Sequence, residues 1–284
     1  MKHKKVEQIQ NGDVLAEDVL LDGSVLIEKG SILKEDYIVN LKELNIEFVI
    51  VEDNNNSDEK SILSSSFVEE QYPIVKNIME RLIHGNEDTL QELVSVAKNI
   101  QQEIGNHFQE ETAYEVSSRN SDLYMHSIMV CALSCLIGFD QGLKEEAISD
   151  IAIGALLHDI GYRFVSTNFE NVDINSLSPG EVFEIKKHTI YGFSAIEAQK
   201  WIGEKSKMII LSHHERLDGN GYPLKQKNLC DEVKIVCVCD EFDSLISGIG
   251  KELCEPNKAL EVLRSCGKGF DGEIVKALEK RIAV

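Results

Sequence analysis

The chain has 284 residues, 43% of them hydrophobic and 27% charged. That composition suits a soluble globular protein with one sizeable core, or a main domain with a smaller companion, and it excludes global disorder. The formal net charge of −20, from 49 acidic and 29 basic residues, opposes non-specific contact with a DNA backbone, so no DNA partner is expected, while a small phosphate ligand held by metal ions stays open.

The basic start at Lys2, Lys4 and Lys5 reads as a solvated terminus. Val14–Leu15, Val19–Leu21 and Val25–Ile27 are short apolar runs, punctuated by the turn signal Asp22-Gly23. A helix is predicted to start after Gly30, around Ser31, Leu33 and Lys34, and to reach about Leu44; Phe48–Val51 reads as a strand. Residues 1–52 thus form a small α+β module. The Asn-, Ser- and Asp-rich stretch over 53–66 has little to bury and reads as a linker. Residues 67–84 and 87–110 show helical spacing, with Ile74, Ile78 and Leu82 on one face and Gly85-Asn86 between the two segments. Over 67–110 the chain is assigned to connecting or partner-facing helices.

From Ser121 onward nearly every apolar segment favours helix. Leu123, Ser127, Val130 and Ser134 follow one face of a helix, and Ile128, Cys131, Cys135 and Leu136 another. Further helices are predicted over 149–157, 182–202, 206–214, 232–246, 256–265 and 273–282. No strand–helix alternation points to a doubly wound sheet. The expected fold class is mainly α, with a helical domain over 111–284 behind the small α+β module.

No apolar run approaches the roughly 18 to 20 residues that a membrane span needs, and the polar N-terminus lacks a secretory apolar region. Seven irregularly spaced cysteines do not form a disulfide framework. Cys131, Cys135, Cys237 and Cys239 lie in apolar segments and read as packing thiols ahead of redox or metal groups, which suits a reducing cytoplasm.

His126, His158, His188, His213 and His214 lie near helix ends or inside amphipathic segments, and Asp159 and Asp240 extend the set. Taken singly, a histidine bonded to a backbone carbonyl is commonplace, and an aspartate after an apolar run can cap a helix. Yet Ala155-Leu156-Leu157 delivers His158 and Asp159 from a strongly apolar helix, and Val236-Cys237-Val238-Cys239 delivers Asp240. Burying such groups costs free energy unless something satisfies them. A metal centre satisfies them jointly, because imidazole and carboxylate ligands suit Fe, Mn, Zn, Co or Ni. Asp159, with two oxygens, could bridge two ions about 3.5–4 Å apart. In the segment 213–223, Gly219 and Gly221 allow a tight loop close to a ligand, Tyr222 offers a phenol or an aromatic face, and Pro223 limits the backbone.

These motifs in this order resemble the HD-GYP family, a branch of the HD phosphohydrolases. The resemblance runs from Tyr124-Met125-His126-Ser127 through Leu157-His158-Asp159-Ile160-Gly161 and Lys187-His188-Thr189-Ile190-Tyr191-Gly192. It continues in His213-His214-Glu215-Arg216-Leu217-Asp218-Gly219-Asn220-Gly221-Tyr222-Pro223, Cys239-Asp240-Glu241-Phe242-Asp243-Ser244-Leu245 and Gly267-Lys268-Gly269-Phe270-Asp271. A weaker resemblance joins Asp13-Val14-Leu15-Ala16-Glu17-Asp18-Val19 to modules that precede some such domains.

The resemblance implies an HD-domain helical bundle that opens a cyclic dinucleotide, cyclic di-GMP first, with metal-activated water. It implies two or three divalent transition metals, iron first and manganese second. His126, His158, Asp159 and Asp240 would sit around the first metal, and His188, His213 and His214 would complete the rest. Asp122, four residues before His126, is the candidate ligand for a third ion. Asp159 would bridge; Tyr222, Gly219 and Gly221 would meet substrate; Asp218 would shape the loop or polarise a ligand.

Two departures bear on substrate. Tyr162 stands where the family usually has Lys, leaving Arg163 one residue displaced, and an expected Arg- and Tyr-containing segment is replaced by Ile246-Ser247-Gly248-Ile249-Gly250-Lys251, where Lys251 is a candidate compensating charge. The alternative to an enzyme is therefore a cyclic-dinucleotide sensor or scaffold that retains metal. A protein partner through the N-terminal module is expected in that case, and oligomerisation stays open.

Overall fold

The computed structural model describes residues 2–6, 9, 14–21, 24–44, 46, 48–51, 61–82, 87–108, 112–119, 121–167 and 174–283. The Asp22-Gly23 and Gly85-Asn86 turn signals, Asp13 and most of the expected linker lie outside them. The chain divides into two compact units, Met1–Glu59 and Lys60–Val284.

In the first unit, strand β1 (Lys2–Lys5) pairs antiparallel with β4 (Phe48–Val51), and β2 (Val19–Leu21) with β3 (Ser24–Ile27). Helix α1 spans Glu35–Glu43. Leu15, Val19, Ile27, Leu33, Leu41 and Val49 close a small core. The lysine-rich start, read as a solvated terminus, takes the structure of a paired strand. Backbone pairing supplies that structure, and side-chain pattern does not announce it.

The second unit is almost wholly helical. Helices α2 (Ser65–Leu82) and α3 (Glu87–His107) do more than connect, since Val75, Ile78, Met79, Leu93, Ala97 and Ile100 enter the same apolar core as the helices that follow. At its centre lies α4 (Leu123–Asp140), packed against α2, α3, α5 (Glu145–Leu157), α9 (Asp231–Ser247) and α11 (Gly272–Arg281). A helix surrounded on all sides can be apolar all round. That explains why, against the sequence expectation, its 18 residues are long and apolar enough to cross a bilayer, while 78% of them are buried inside the protein. Asp122 starts α4 by accepting from Met125 N–H at 3.0 Å.

The single helix expected over 182–202 is two, α6 (Pro179–Lys186) and α7 (His188–Ile196), with the break at Lys187. Ser178 and Glu181 form a capping box that starts α6. The break makes His188 the first residue of α7. Helices α8 (Glu204–Ser212) and α10 (Pro256–Ser265) complete the bundle. A short parallel pair, β5 (Tyr114–Glu115) with β6 (Ile282–Ala283), ties the end of α11 back to the start of the domain. All seven cysteines are free, and Cys131, Cys135, Cys237 and Cys239 are buried, as packing thiols should be.

Candidate metal centre

Five elements converge on one buried spot. Helix α4 brings His126; the end of α5 brings His158, with Asp159 where the helix yields to the 3-10 turn Ile160–Phe164. Helix α7 starts with His188, α8 ends at His213 with His214 following, and α9 carries Asp240 mid-helix. His126, His158, His188 and His213 are completely buried, and Asp159 and Asp240 nearly so.

Each buried ring is held by its outer nitrogen. His158 Nδ1 faces the Ala155 carbonyl at 2.6 Å, His188 Nδ1 the Ile185 carbonyl at 2.8 Å, and His213 Nδ1 the Ile210 carbonyl at 3.0 Å. His126 Nδ1 faces Asp243 Oδ2 at 2.7 Å. A carbonyl or carboxylate can only accept, so each Nδ1 carries a hydrogen and each Nε2 faces inward, as in ligand histidines.

The inward atoms form two groups around one carboxylate. Asp159 Oδ2 lies 3.2 Å from His158 Nε2 and 3.6 Å from His126 Nε2, while its Oδ1 lies 3.3 Å from His188 Nε2 and 3.4 Å from His213 Nε2. Asp240 Oδ1 is 3.2 Å from His126 Nε2, and its Oδ2 is 3.5 Å from His214 Nδ1. Donors about 2.1 Å from a shared ion stand roughly 3.0–3.4 Å apart. The residues therefore fit a metal. The sharpest sign is chemical: His158 Nε2, Asp159 Oδ1 and Asp240 Oδ2 are buried without a hydrogen-bond partner, and His188 and His213 point Nε2 at Nε2 across 3.1 Å. Buried acceptors left facing one another cost free energy that a cation recovers. His126, His158 and Asp159 form one potential ligand set, and Asp159, His188, His213 and His214 another.

The electrostatics agree. Burial opposes charge on Asp159, but the imidazoles, His158 foremost, hold its carboxyl well below the usual range. Burial pushes His188 down to about 4, and burial with His213 beside it also lowers His214, so both stay neutral. Burial opposes charge on His126 too, yet bonds to Asp240 and Asp243 hold it up at about 9, and Asp159 and Asp240 likewise raise His158. These carboxylates demand positive charge at the ring, which a proton or a metal can supply.

The motif glycines hold the centre together. A Cβ on Gly161 would stand 1.8 Å from the His188 carbonyl oxygen, so only glycine lets the turn after Asp159 lie on the start of α7. Gly192 meets the same contact from the other side, its Cβ position 3.3 Å from Gly161 N.

The Gly219–Tyr222 loop is likewise built from within. Glu215, fully buried, accepts from Leu224 N–H at 2.6 Å and Gln226 N–H at 3.0 Å. Asp218 accepts from both the backbone and the side chain of Asn220 and so shapes the turn without entering the centre. Gly219 takes the left-handed conformation at φ +84°, and a Cβ on Gly221 would meet Arg216 N at 2.3 Å, so both are needed for loop closure. Leu217 N–H donates to the Gly269 carbonyl at 2.9 Å, and Arg216 lies 4.3 Å over the Phe270 ring, which accounts for the late glycine segment. Tyr222 stacks on His214, centroids 4.7 Å apart.

Beside Tyr222 opens a cavity of about 980 Å³, lined among others by Lys186, His214, Arg216, Tyr222, Glu241 and Lys251. Glu241 engages both Arg216 and Lys251. Two expectations differ. Asp122 is not gathered with the ligands: one oxygen caps α4 and the other takes the Tyr72 hydroxyl. Arg163 donates to the Tyr124 hydroxyl at 3.0 Å and does not line the cavity. Tyr162 lies flat on His188, centroids 4.0 Å apart. Sequence reading also passed over Asp243 and Glu215, although Asp240 and Asp243, three apart on an apolar helix, were a usable signal.

The HD domain family model matches residues 123–245. A cyclic di-GMP phosphodiesterase of Thermotoga maritima is 35% identical over 179 residues, covering 58% of this chain and 46% of that protein. The chain carries an HD domain over residues 123–245. A cyclic di-GMP phosphodiesterase response regulator of Xanthomonas campestris is 34% identical, over 50% of this chain and 39% of that protein. The chain thus spans less than half the length of these curated relatives. A solved HDG"Y"P protein from Bdellovibrio bacteriovorus shares the fold, with TM-score 0.60, 16% identity and coverage of 98% of this chain and 97% of that one.

Proposed function

We propose that the chain is a metal-dependent phosphodiesterase that opens a cyclic dinucleotide, cyclic di-GMP first. The observation that carries this reading is the Asp159 carboxylate, which divides its two oxygens between two groups of inward imidazoles. His126, His158, Asp159 and Asp240 would hold one ion, and Asp159, His188, His213 and His214 a second, with Asp159 as the bridge. Iron is the first choice and manganese the second, since both accept mixed nitrogen and oxygen donors. Bound divalent ions supply Lewis acidity for activating water and positive charge for the phosphoryl oxygens.

The chain's own residues do the rest. The buried wall of α4, α5 and α9 keeps bulk water from the inner ligands. Burial, with Asp240 and Asp159 nearby, pushes the Tyr222 phenol well up, so it keeps its proton and donates to a substrate oxygen. Cys237 is held up at about 12 by burial and supplies no nucleophile. Hydrolysis then adds water across one phosphodiester: oxygen bonds to phosphorus, the ester P–O bond breaks, and the ribose oxygen leaves as a hydroxyl.

A second reading, a cyclic-dinucleotide sensor or scaffold with weak turnover, is favoured by Tyr162, which spends its ring on His188 where the resembled motif has a cation. Anaerobic reconstitution with Fe(II) or Mn(II), followed by product analysis, separates the two. Turnover to the linear dinucleotide supports the enzyme; tight binding without turnover supports the sensor.

A further inference from the structure

The cavity beside Tyr222 is lined by four cations, Lys186, Arg216, Lys251 and Lys258. Three of them are already paired: Arg216 and Lys251 with Glu241, and Lys258 with Glu261. Among the described residues Lys186 has no carboxylate partner. Its Nζ stands 5.1 Å from the centre of the Tyr222 ring, and that ring stacks on His214, whose Nδ1 lies 3.5 Å from Asp240. Lys186 therefore carries an uncommitted positive charge to the mouth of the ligand cluster. Its neighbour Lys187 is spent on Glu184 at 2.6 Å and does not line the cavity.

We propose that Lys186 binds the phosphate of the anionic substrate that enters over Tyr222. A chain of net charge −20 repels a phosphodiester unless a local cation offsets the field. Tyr162, flat against His188, provides no such charge on its side of the centre, and Glu241 neutralises the cations on the far wall. The helix break at Lys187 places Lys186 at the end of α6, where it reaches over the tyrosine face. The competing role for Lys186 is a solvated lysine that merely complements the C-terminal end of α6. This inference rests on the phosphodiesterase reading.

The test uses the full chain loaded with Mn(II), with cyclic di-GMP as probe, and compares Lys186→Met, Lys186→Arg and Lys187→Met. Lys186→Met is expected to raise KM about tenfold to a hundredfold, the range of a lost charge-assisted hydrogen bond, with kcat changed less than about threefold. Metal content and Tm should match wild type, Lys186→Arg should recover most of the affinity, and Lys187→Met should behave as wild type. A KM within about twofold of wild type in an active preparation overturns the role of Lys186 alone. Joint loss of metal and kcat in Lys186→Met also overturns it, because the lysine would then support the centre. If loaded wild type turns nothing over, the phosphodiesterase reading fails, and equilibrium binding of cyclic di-GMP decides separately: a tenfold loss in Lys186→Met upholds the contact, and unchanged or absent binding overturns it.

Discussion

His126 and Asp243 face each other across 2.7 Å, and Asp243 is held in turn by Arg119 at 2.6 Å. The carboxylate fixes the hydrogen on His126 Nδ1 and leaves Nε2 to face Asp159 and Asp240. Partners of this kind commonly account for 10- to 100-fold in metal affinity. Asp243→Asn keeps the shape but loses the charge. We expect metal affinity to fall by about that factor, measured by chelator competition; an affinity unchanged within twofold would show that Asp243 only packs.

Gly161 tests the frame rather than the ligands. In Gly161→Ala the added Cβ would collide with the His188 carbonyl and the Gly192 amide, both backbone, so nothing flexible can yield. Destabilisation of about 2–4 kcal/mol is expected, together with impaired metal uptake. In a domain of this size that lowers Tm by roughly 5–15 °C in a thermal melt. An alanine variant that melts and binds metal like wild type would contradict the close approach.

The two ligand sets differ in their protons. His126, at about 9, and His158, raised by Asp159 and Asp240, both carry a proton at pH 7 and must release it to bind metal. His188, at about 4, and His214, also lowered, have none to release. A raised pKa means that metal and proton compete below it, so apparent affinity at the first set climbs with pH through neutrality towards 9. His188 and His214 add no such dependence near neutrality. Calorimetry in buffers of different ionisation enthalpy should find proton release at pH 7 on loading, with His126 and His158 as its sources. Release of none would refute this asymmetry.

Much of the centre was legible because metal ligands violate ordinary burial. His158-Asp159 after an apolar helix, and Asp240 inside another, have no bland partner within the sequence, and all seven expected ligands converge. What escaped has physical causes. Asp122 shares a helical phase with His126, but its position at the helix start gives both oxygens nearer partners in Met125 and Tyr72. The break at Lys187 is hidden in a continuous amphipathic pattern, and only the capping box at Ser178 hints where the first helix starts. Helices α2 and α3 read as connectors because periodicity shows a buried face without naming what covers it. Glu215 stands in the longest motif with no role legible from sequence, because its partners are two backbone amides of the loop it anchors.

Glu215→Ala follows from that anchor. The Leu224 and Gln226 N–H groups would lose their buried carboxyl acceptor, which costs about 1–3 kcal/mol. Tyr222 should lose its fixed place on His214, so KM for the dinucleotide should rise while metal content holds. Intact substrate affinity in a folded, loaded variant would contradict this role for Glu215.

The most direct test of the central claim is turnover of cyclic di-GMP by the metal-replete chain, with metal content measured on the same sample and Asp159→Asn alongside. A linear dinucleotide product is expected that requires metal and is lost in Asp159→Asn together with metal occupancy. A fully loaded wild-type protein that leaves every cyclic dinucleotide intact would contradict that claim.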